Sequence, residues 1–172
     1  TVHRSDLSHL GKKCEEITEK LGFPLFVKPA NCGSSVGINK AHTIEDLSDA
    51  IKYAFTHDKK VIVEEFIKGK EIECAVFGND TPIASIPGEI VPSNEFYDYE
   101  DKYLLGSTQL FIPARIEDKY SDKIRETAVA AYKALGCSGL TRVDFFFTDK
   151  NEIILNEPNT LPGFTPISMY PK

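Results

Sequence analysis

Residues 140–159 constrain the fold more than any other part of this 172-residue chain. Two runs rich in β-branched and aromatic residues, LTRVDFFF and EIILNEPN, stand on either side of the turn-forming residues TDKN. Such runs, separated by a short polar turn, predict a β-hairpin. If the loop is the two residues Lys150 and Asn151, the register places Asp144 opposite Glu157, because loop length determines antiparallel pairing.

That register gathers oxygen ligands on one face of the hairpin. Side chains two residues apart point the same way in a strand, so Arg142 and Asp144 share a face with Glu157 and Asn159. Two carboxylates and an amide, without sulfur or imidazole, favour Mg²⁺ or Mn²⁺ over zinc. The alternative is an acidic surface with Arg142 as its counter-ion, although the runs FFF and IIL indicate a deeply placed hairpin. Pro158 has no N–H, so we predict that its position needs no central strand bond or that the hairpin has already ended.

Helical and strand periods elsewhere predict a mixed α and β chain. Apolar spacing predicts one helix from about Leu7 to Gly22, and Thr43 with Asp46 predicts a capping box at the start of a second. A third helix is predicted in SDKIRETAVAAYKALG, and strands in PLFVK, INKA, KVIVEEF, EIECAVFG and GEIV. Residues 93–107 show no period but contain four aromatic side chains, which predicts an ordered loop near a site.

Composition narrows the classes of function. Acidic residues outnumber basic ones by 26 to 20, a net charge of −6 that argues against a chain-wide nucleic-acid footprint. No apolar run is long enough to span a membrane, and the first residues do not resemble a signal peptide. The first residue is Thr1 rather than Met, which suggests a fragment or a processed chain. Four scattered cysteines without a CxxC pair predict reduced thiols in a cytosolic protein, with Cys14 and Cys74 in the core.

The stretch VKPANCGSSVGINK is a candidate phosphate-binding loop. Gly33, Ser34, Ser35 and Gly37 follow a strand, and successive backbone N–H groups in such a turn can form an anion nest. The stretch matches neither a Walker A loop nor G-x-G-x-x-G, and it leads into another strand. A glycine-rich lid over phosphates and a plain tight turn therefore both fit. Lys28 is either an exposed strand end or a point charge for a phosphate.

A second candidate nucleotide segment is EEFIKGKE, which holds Glu64, Glu65 and Glu71. One interpretation is a solvated strand edge. The other is a connection between two subdomains, whose backbone binds an adenine and whose carboxylate accepts hydrogen bonds from a ribose.

Five stretches together resemble D-alanine–D-alanine ligase, a family of ATP-grasp enzymes: FVKPANCGSSVGI, VEEFIKGKEIECAV, PGEIVPSNEFYDYEDKY, CSGLTRVDFFF and NEPNTLPGFTPISMYPK. The resemblance runs from about Leu21 to the last residue. It implies an α+β, ATP-grasp fold with mainly antiparallel sheets and the nucleotide between two α+β subdomains. Residues 1–66 would form the small, lid subdomain with the glycine-rich loop. Residues 67–172 would form the large subdomain, with a closing loop at about 93–107 and the metal-binding hairpin.

The resemblance also implies roles for the matching residues. The catalytic residues would be Ser34 over the substrate, Lys102 and Tyr103 of the closing loop, and Arg142, which stabilises the tetrahedral oxyanion. The nucleotide would be bound by Lys28, Gly33, Ser35, Glu64, Glu65, Phe66, Ile67 and Glu71, the last as the ribose ligand. The metal ligands would be Asp144, Glu157 and Asn159, and the second D-alanine would be held by Gly163 and Ser168.

The implied reaction joins two D-alanines through a D-alanyl phosphate, for peptidoglycan precursor synthesis. ATP and Mg²⁺ or Mn²⁺, with two ions expected, would be required, and the full-length enzyme would be a cytoplasmic homodimer with no nucleic-acid or membrane partner. The family's N-terminal domain contributes a glutamate and a histidine to the first D-alanine site. This chain lacks that region, so we expect the isolated chain to have little or no ligase activity.

Three other functions remain open from the sequence. The nearest is a D-alanine–D-lactate or D-alanine–D-serine ligase, although the residues DKY favour D-alanine as the second substrate. The others are a nucleotide-binding module without turnover and a globular α/β domain with an acidic surface.

Overall fold

A computed structural model describes residues 1–33, 36–91, 108–165 and 168–172. These residues divide into two compact units, of which the first is Thr1–Phe66 and the second begins at Ile67. Each unit has one antiparallel sheet with a helix-covered face. The predicted α+β class with mainly antiparallel sheets is therefore confirmed.

In its described residues, the first unit has a four-stranded sheet and two α-helices. Its elements are β1 (Val2–His3), a 3₁₀ helix (Arg4–His9), α1 (Leu10–Leu21), β2 (Leu25–Pro29), β3 (Asn39–Ala41), α2 (Ile44–His57) and β4 (Lys60–Glu65). The strand order is β1-β4-β2-β3. The prediction of a single first helix was wrong at its start, because the first turns are 3₁₀ and Leu7 is 39% exposed.

The capping box of α2 forms as predicted. The Thr43 hydroxyl accepts from the Asp46 N–H, and the Asp46 carboxylate accepts from the Thr43 N–H, both at 3.1 Å. These two bonds satisfy donors that have no partner within the first turn of a helix. They set the start of the helix that covers the sheet.

Side chains alternate between the two faces of the first sheet. Leu25 and Val27 of β2 are fully buried and pack against the helices together with Cys14. Phe26 and Lys28, which alternate with them, lie on the other face and are half-buried. The polar candidate Lys28 therefore lies on the face away from the core.

The described part of the second unit contains a long helix and a six-stranded sheet. Its elements are β5 (Gly69–Gly78), β6 (Ile83–Ala84), β7 (Gly88–Val91), β8 (Gln109–Phe111), α3 (Asp118–Ala134), β9 (Gly139–Thr148) and β10 (Ile153–Asn159). The strand order is β10-β9-β5-β7-β8, with β6 paired to β5. Ile124, Ala128 and Tyr132 of α3 pack on one sheet face, in a core that contains Cys74. No helix in the described ranges is long and apolar enough to cross a bilayer.

The β9–β10 hairpin has a different loop from the predicted one. The Thr148 N–H donates to the Glu152 carbonyl at 3.0 Å, so the loop has three residues, and Asn151 within it has φ 63°. A three-residue loop shifts the register by one position. A β-bulge between Leu155 and Glu157 shifts it back, so Glu157 still pairs with Asp144. The predicted pairing is confirmed although the predicted loop was wrong.

Pro158 lies within the hairpin and not beyond it. It pairs with Val143, and β10 continues to Asn159, so the alternative that the hairpin ends before Pro158 was wrong. Among the described strands, β10 pairs only with β9 and is an edge strand. An edge is where a sheet tolerates a proline, because half of its amides face away from the ladder.

A buried carboxylate on β7 ties the connection before α3 to the sheet. Glu89 is 2% exposed, and its two oxygens accept from Nε and Nη2 of Arg115 at 3.0 and 2.7 Å. Lys70 lies 3.4 Å from the same carboxylate. Burial raises the pKa of Glu89, but the bonds from Arg115 outweigh it and hold the pKa below its ordinary value.

Candidate functional site

Arg142 is the centre of a polar cluster on the open face of the second sheet. Its Nε and Nη2 atoms donate to the two carboxylate oxygens of Asp144, each at 2.7 Å. The amide nitrogen of Asn159 donates to Asp144 at 3.0 Å, and Glu157 is the direct partner of Asp144 across the hairpin. The structure therefore brings together the four hairpin residues that the sequence singled out.

A further carboxylate, that of Glu73, belongs to this cluster and was not predicted from the sequence. Glu73 is on β5, directly opposite Asp144, and its Oε2 atom lies 3.2 Å from Nε of Arg142. The residue is 8% exposed. The spacing of Glu71 and Glu73 in EIECAV indicated two acids on one strand face, but nothing in the sequence showed that β5 pairs with β9.

The carboxylates around Arg142 keep it a cation. Burial lowers the pKa of its guanidinium, but the hydrogen bonds and charge of Asp144, with the charges of Glu73 and Glu157, raise the pKa above its ordinary value overall. A permanently charged, planar donor fixed by carboxylates can stabilise negative charge that develops on a substrate oxygen.

The donors beside Arg142 fit a hard divalent cation that phosphates help to hold. The described residues contain no group of three His, Cys, Asp or Glu side chains placed to hold a metal by themselves. Mg²⁺ usually takes one or two carboxylates and completes its shell with water and phosphate oxygens. Asp144 and Glu157 would supply the carboxylates. The Asn159 amide could present its oxygen by rotating about its terminal torsion.

Gly163 and Ser168 lie close together, as their shared predicted role requires. A Cβ atom added at Gly163 would come within 2.9 Å of the Ser168 hydroxyl oxygen. That oxygen accepts from the Thr165 N–H at 3.1 Å. The turn thus places a hydroxyl against a backbone position with room for hydrogen alone.

A small pocket lies against the same sheet face. Its volume is about 100 Å³, and its lining includes Glu73, Arg142, Gly88, Met169 and Tyr170. A Cβ atom at Gly88 would lie 2.7 Å from the Met169 sulfur, so any larger residue here would push the end of the Met169 side chain aside. The pocket is large enough for a fragment of a few heavy atoms beside the guanidinium.

In the first unit, a second polar group lies on the open face of the sheet. The Lys28 ammonium is 2.8 Å from the Glu64 carboxylate, across the β2–β4 pairing. The Phe66 ring lies 5.8 Å from the Phe26 ring, and the Lys40 ammonium is 4.0 Å from the Phe66 ring centre. Phe26 and Lys40 were not predicted, and they make this face an aromatic platform with cations beside it.

Some of the remaining predicted residues lie within the described part of the chain and the others lie outside it. Glu65 pairs with Leu25, whose side chain faces the core, so alternation separates Glu65 from Glu64. The carbonyl of Gly33 accepts from the Val36 N–H at 3.2 Å, in the predicted turn. Ile67 is half-buried after β4, and Glu71 shares a face with Glu73 on β5. Ser34, Ser35, Lys102, Tyr103 and the closing loop at 93–107 lie outside the described residues.

Comparison with known proteins agrees with this architecture. The chain belongs to the family described as D-ala D-ala ligase C-terminus, which matches residues 1–172. It is 55% identical over 159 residues to the D-alanine–D-alanine ligase of Chlorobium limicola and 56% identical over 165 residues to D-alanine–D-alanine ligase B of Clostridium tetani. These matches cover 92% and 94% of the chain but 44% and 46% of the relatives, so the chain spans less than half of their length.

The solved structures show the same fold. The VanG D-Ala:D-Ser ligase of Enterococcus faecalis matches with a TM-score of 0.86 at 47% identity, over 99% of this chain and 49% of that one. D-alanyl-alanine synthetase A of Vibrio cholerae matches with a TM-score of 0.81 at 35% identity, over 95% and 50%. The family and the ATP-grasp fold expected from the sequence are therefore confirmed.

Proposed function

We propose that this chain is the ATP-binding part of a D-alanine–D-alanine ligase, which joins two D-alanines through a D-alanyl phosphate for peptidoglycan synthesis. The observation that supports this best is the cluster in which Arg142 is fixed by the two bonds that it donates to Asp144, with Glu157 and Asn159 beside it. The complete enzyme would be a cytoplasmic homodimer that uses ATP and D-alanine.

Arg142 would stabilise the oxyanion that forms when the amine of the second D-alanine attacks the acyl phosphate. A fixed donor costs no reorganisation at the moment of reaction, and removing one such donor typically costs about 10²–10³ in kcat. Gly163 and Ser168 would hold the second D-alanine through the hydroxyl and the backbone of their turn.

Several residues singled out in the sequence would bind the nucleotide and its metal. Lys28 would neutralise phosphate charge once the nucleotide competes with Glu64 for its ammonium. Phe66 would lie against the adenine, and Glu71 would accept from the ribose. Asp144, Glu157 and Asn159 would hold Mg²⁺ or Mn²⁺, with two ions expected. The bound metal would neutralise phosphate charge during transfer.

The second candidate is a D-alanine–D-serine ligase. The structural match to the VanG D-Ala:D-Ser ligase, at 47% identity, supports it. The residues DKY favour D-alanine, and the named relatives with 55% and 56% identity are D-alanine–D-alanine ligases.

A coupled ADP-release assay on the full-length protein tests the proposal. We expect ADP release with D-alanine alone, at a higher kcat/KM than for D-serine or D-lactate as second substrate, and little release with L-alanine. Arg142→Lys should lower kcat by about 10²–10³. Arg125→Lys, in an exposed pair with Asp122, is the matched control and should stay near wild type. Full activity in Arg142→Lys would contradict the assigned role.

The isolated 172-residue chain distinguishes a ligase from a binding module. We expect it to release ADP at a small fraction of the full-length rate when D-alanine is added. Robust turnover by these residues alone would contradict this expectation, and nucleotide binding without turnover in the full-length protein would favour the module.

A further inference from the structure

We propose that Glu73 is a positioning residue that holds Arg142 in place from β5 while Asp144 is engaged with the metal. The proposal rests on the function proposed above, which assigns the oxyanion to Arg142 and the metal to Asp144. Glu73 makes no contact with the reacting atoms in this proposal; it acts through the guanidinium.

The geometry of Glu73 suits such a role. Its Oε2 atom lies 3.2 Å from Nε of Arg142, and the two side chains are 9% and 22% exposed. Glu73 is paired on both sides, with Asp144 of β9 and Gly88 of β7, so its backbone lies inside the sheet and not at an edge. A residue on a rigid strand interior positions a partner better than one on a loop.

Asp144 alone would serve two partners at once. Both of its oxygens accept from Arg142, and one also accepts from Asn159. A cation that draws this carboxylate competes with the guanidinium for the same oxygens. A guanidinium has five N–H donors, so a second carboxylate can retain it when the first moves. Glu73 is that second carboxylate.

The burial of Glu73 also argues for a function. A buried charge costs free energy unless it is paired, and removing one partner of a buried pair is costly when it leaves the other charge unpaired. Glu73 is 8% exposed and is flanked along the strand by the core residues Ile72 and Cys74. Because Arg142 keeps its two bonds to Asp144 in Glu73→Leu, we expect the thermal midpoint of unfolding to change little, while the second carboxylate beside the guanidinium is lost.

Kinetics of the full-length enzyme test the proposal. We expect Glu73→Leu to lower kcat about 10- to 100-fold, the usual effect of removing a residue that orients a functional group, with the KM for ATP within about threefold of wild type. Glu73→Gln keeps the shape and one acceptor oxygen, so it should recover a large part of kcat. Asp122→Asn, which removes a carboxylate from an exposed arginine pair, is the matched control and should leave kcat near wild type.

A second readout does not depend on turnover. The Nε–H resonance of Arg142, assigned by its loss in Arg142→Lys, should exchange slowly with solvent in the wild type. In the presence of ADP and Mg²⁺ it should exchange faster or broaden in Glu73→Leu, and it should be largely restored in Glu73→Gln.

The kinetics and the Arg142 resonance together distinguish a failure of the Glu73 proposal from a failure of the proposed function. An active wild type with kcat in Glu73→Leu within about twofold of normal overturns the Glu73 proposal alone. A loss in Glu73→Leu that affects ATP affinity and the thermal midpoint as strongly as kcat also overturns it, because it shows a structural role. If the wild type fails to join any pair of D-amino acids, the proposed function fails. The Arg142 resonance then decides whether Glu73 positions the guanidinium.

Discussion

Replacing Asp144 with Asn distinguishes a metal site from an acidic surface on the β9–β10 hairpin. In the structure, Asp144 accepts two bonds from Arg142 and one from Asn159. If Asp144 serves only as the counter-ion of Arg142, the variant changes stability and nothing else. If Asp144 is a metal ligand, the variant also removes the advantage that Mg²⁺ gives to nucleotide binding.

The effect of Asp144→Asn on the free energy of unfolding follows from the contacts that are lost. Asparagine keeps one acceptor oxygen but turns an NH₂ group towards the donors of Arg142. Losing one hydrogen bond to a charged group costs about 1.5–3 kcal/mol. Because Glu73 remains 3.2 Å from the guanidinium, we expect a cost near the lower end of that range. The folded state should survive, since domains are typically stable by about 5–15 kcal/mol.

The effect of Asp144→Asn on metal binding is measured as a change in the affinity for ATP. Loss of a ligand or of a residue that orients one typically costs about 10- to 100-fold, or about 1.4–2.7 kcal/mol. Isothermal titration calorimetry of the full-length protein with ATP should be done with and without Mg²⁺. We expect Asp144→Asn to lose the gain in ATP affinity that Mg²⁺ gives, and to keep the affinity measured without Mg²⁺. Glu157→Gln should behave in the same way.

The control is Asp149→Asn, which removes one carboxylate from the exposed loop of the same hairpin. It should leave both affinities and the free energy of unfolding near wild type. A variant at Asp144 that unfolds more easily but binds ATP with an unchanged Mg²⁺ dependence would refute the metal assignment, and would leave the acidic-surface interpretation standing.

Three further outcomes are expected. Glu89→Gln should lower the free energy of unfolding by about 1.5–3 kcal/mol in urea denaturation, because the bonds to Arg115 lose their charge. The pKa of Glu89 is lower in the folded state than its ordinary value. The contribution of Glu89 to the free energy of unfolding is therefore present above the ordinary carboxyl pKa and is lost as the pH falls through the folded-state pKa. A difference in unfolding free energy between wild type and Glu89→Gln that does not shrink in acid would count against this. Tyr132→Phe removes a hydroxyl that donates to a β5 carbonyl at 2.5 Å and should cost about 1 kcal/mol; an unchanged urea midpoint would be inconsistent with that bond. Gly163→Ala should displace Ser168 and raise the KM for the second D-alanine, without changing ATP affinity; an unchanged KM would remove Gly163 from the site.

Local sequence patterns were sufficient to predict most helices and strands, and the part of the candidate site that lies on the β9–β10 hairpin. The capping box at Thr43, the core positions of Cys14 and Cys74 and the hairpin all depend on neighbours within a few residues or on a two-residue period. The pairing of Asp144 with Glu157 was also predicted correctly. It was reached with a two-residue loop, whereas the chain uses a longer loop and a compensating bulge.

The tertiary structure determined what no local pattern contains. The two-residue period of EIECAV showed that Glu71 and Glu73 share a face, but not that the face adjoins Arg142. The same holds for the contacts of Lys28 with Glu64 and of Lys40 with Phe66.

The physical reason is that side-chain alternation is a local property of one strand, whereas the choice of neighbouring strand is not. Alternation along a strand determines which way each side chain points, whereas the choice of neighbouring strand depends on hydrogen bonds and packing between segments far apart in the chain. The sequence by itself thus determined an acidic hairpin with Arg142 and Asp144 on one face. Only the pairing of β5 with β9 placed Glu73 against the guanidinium and completed the cluster.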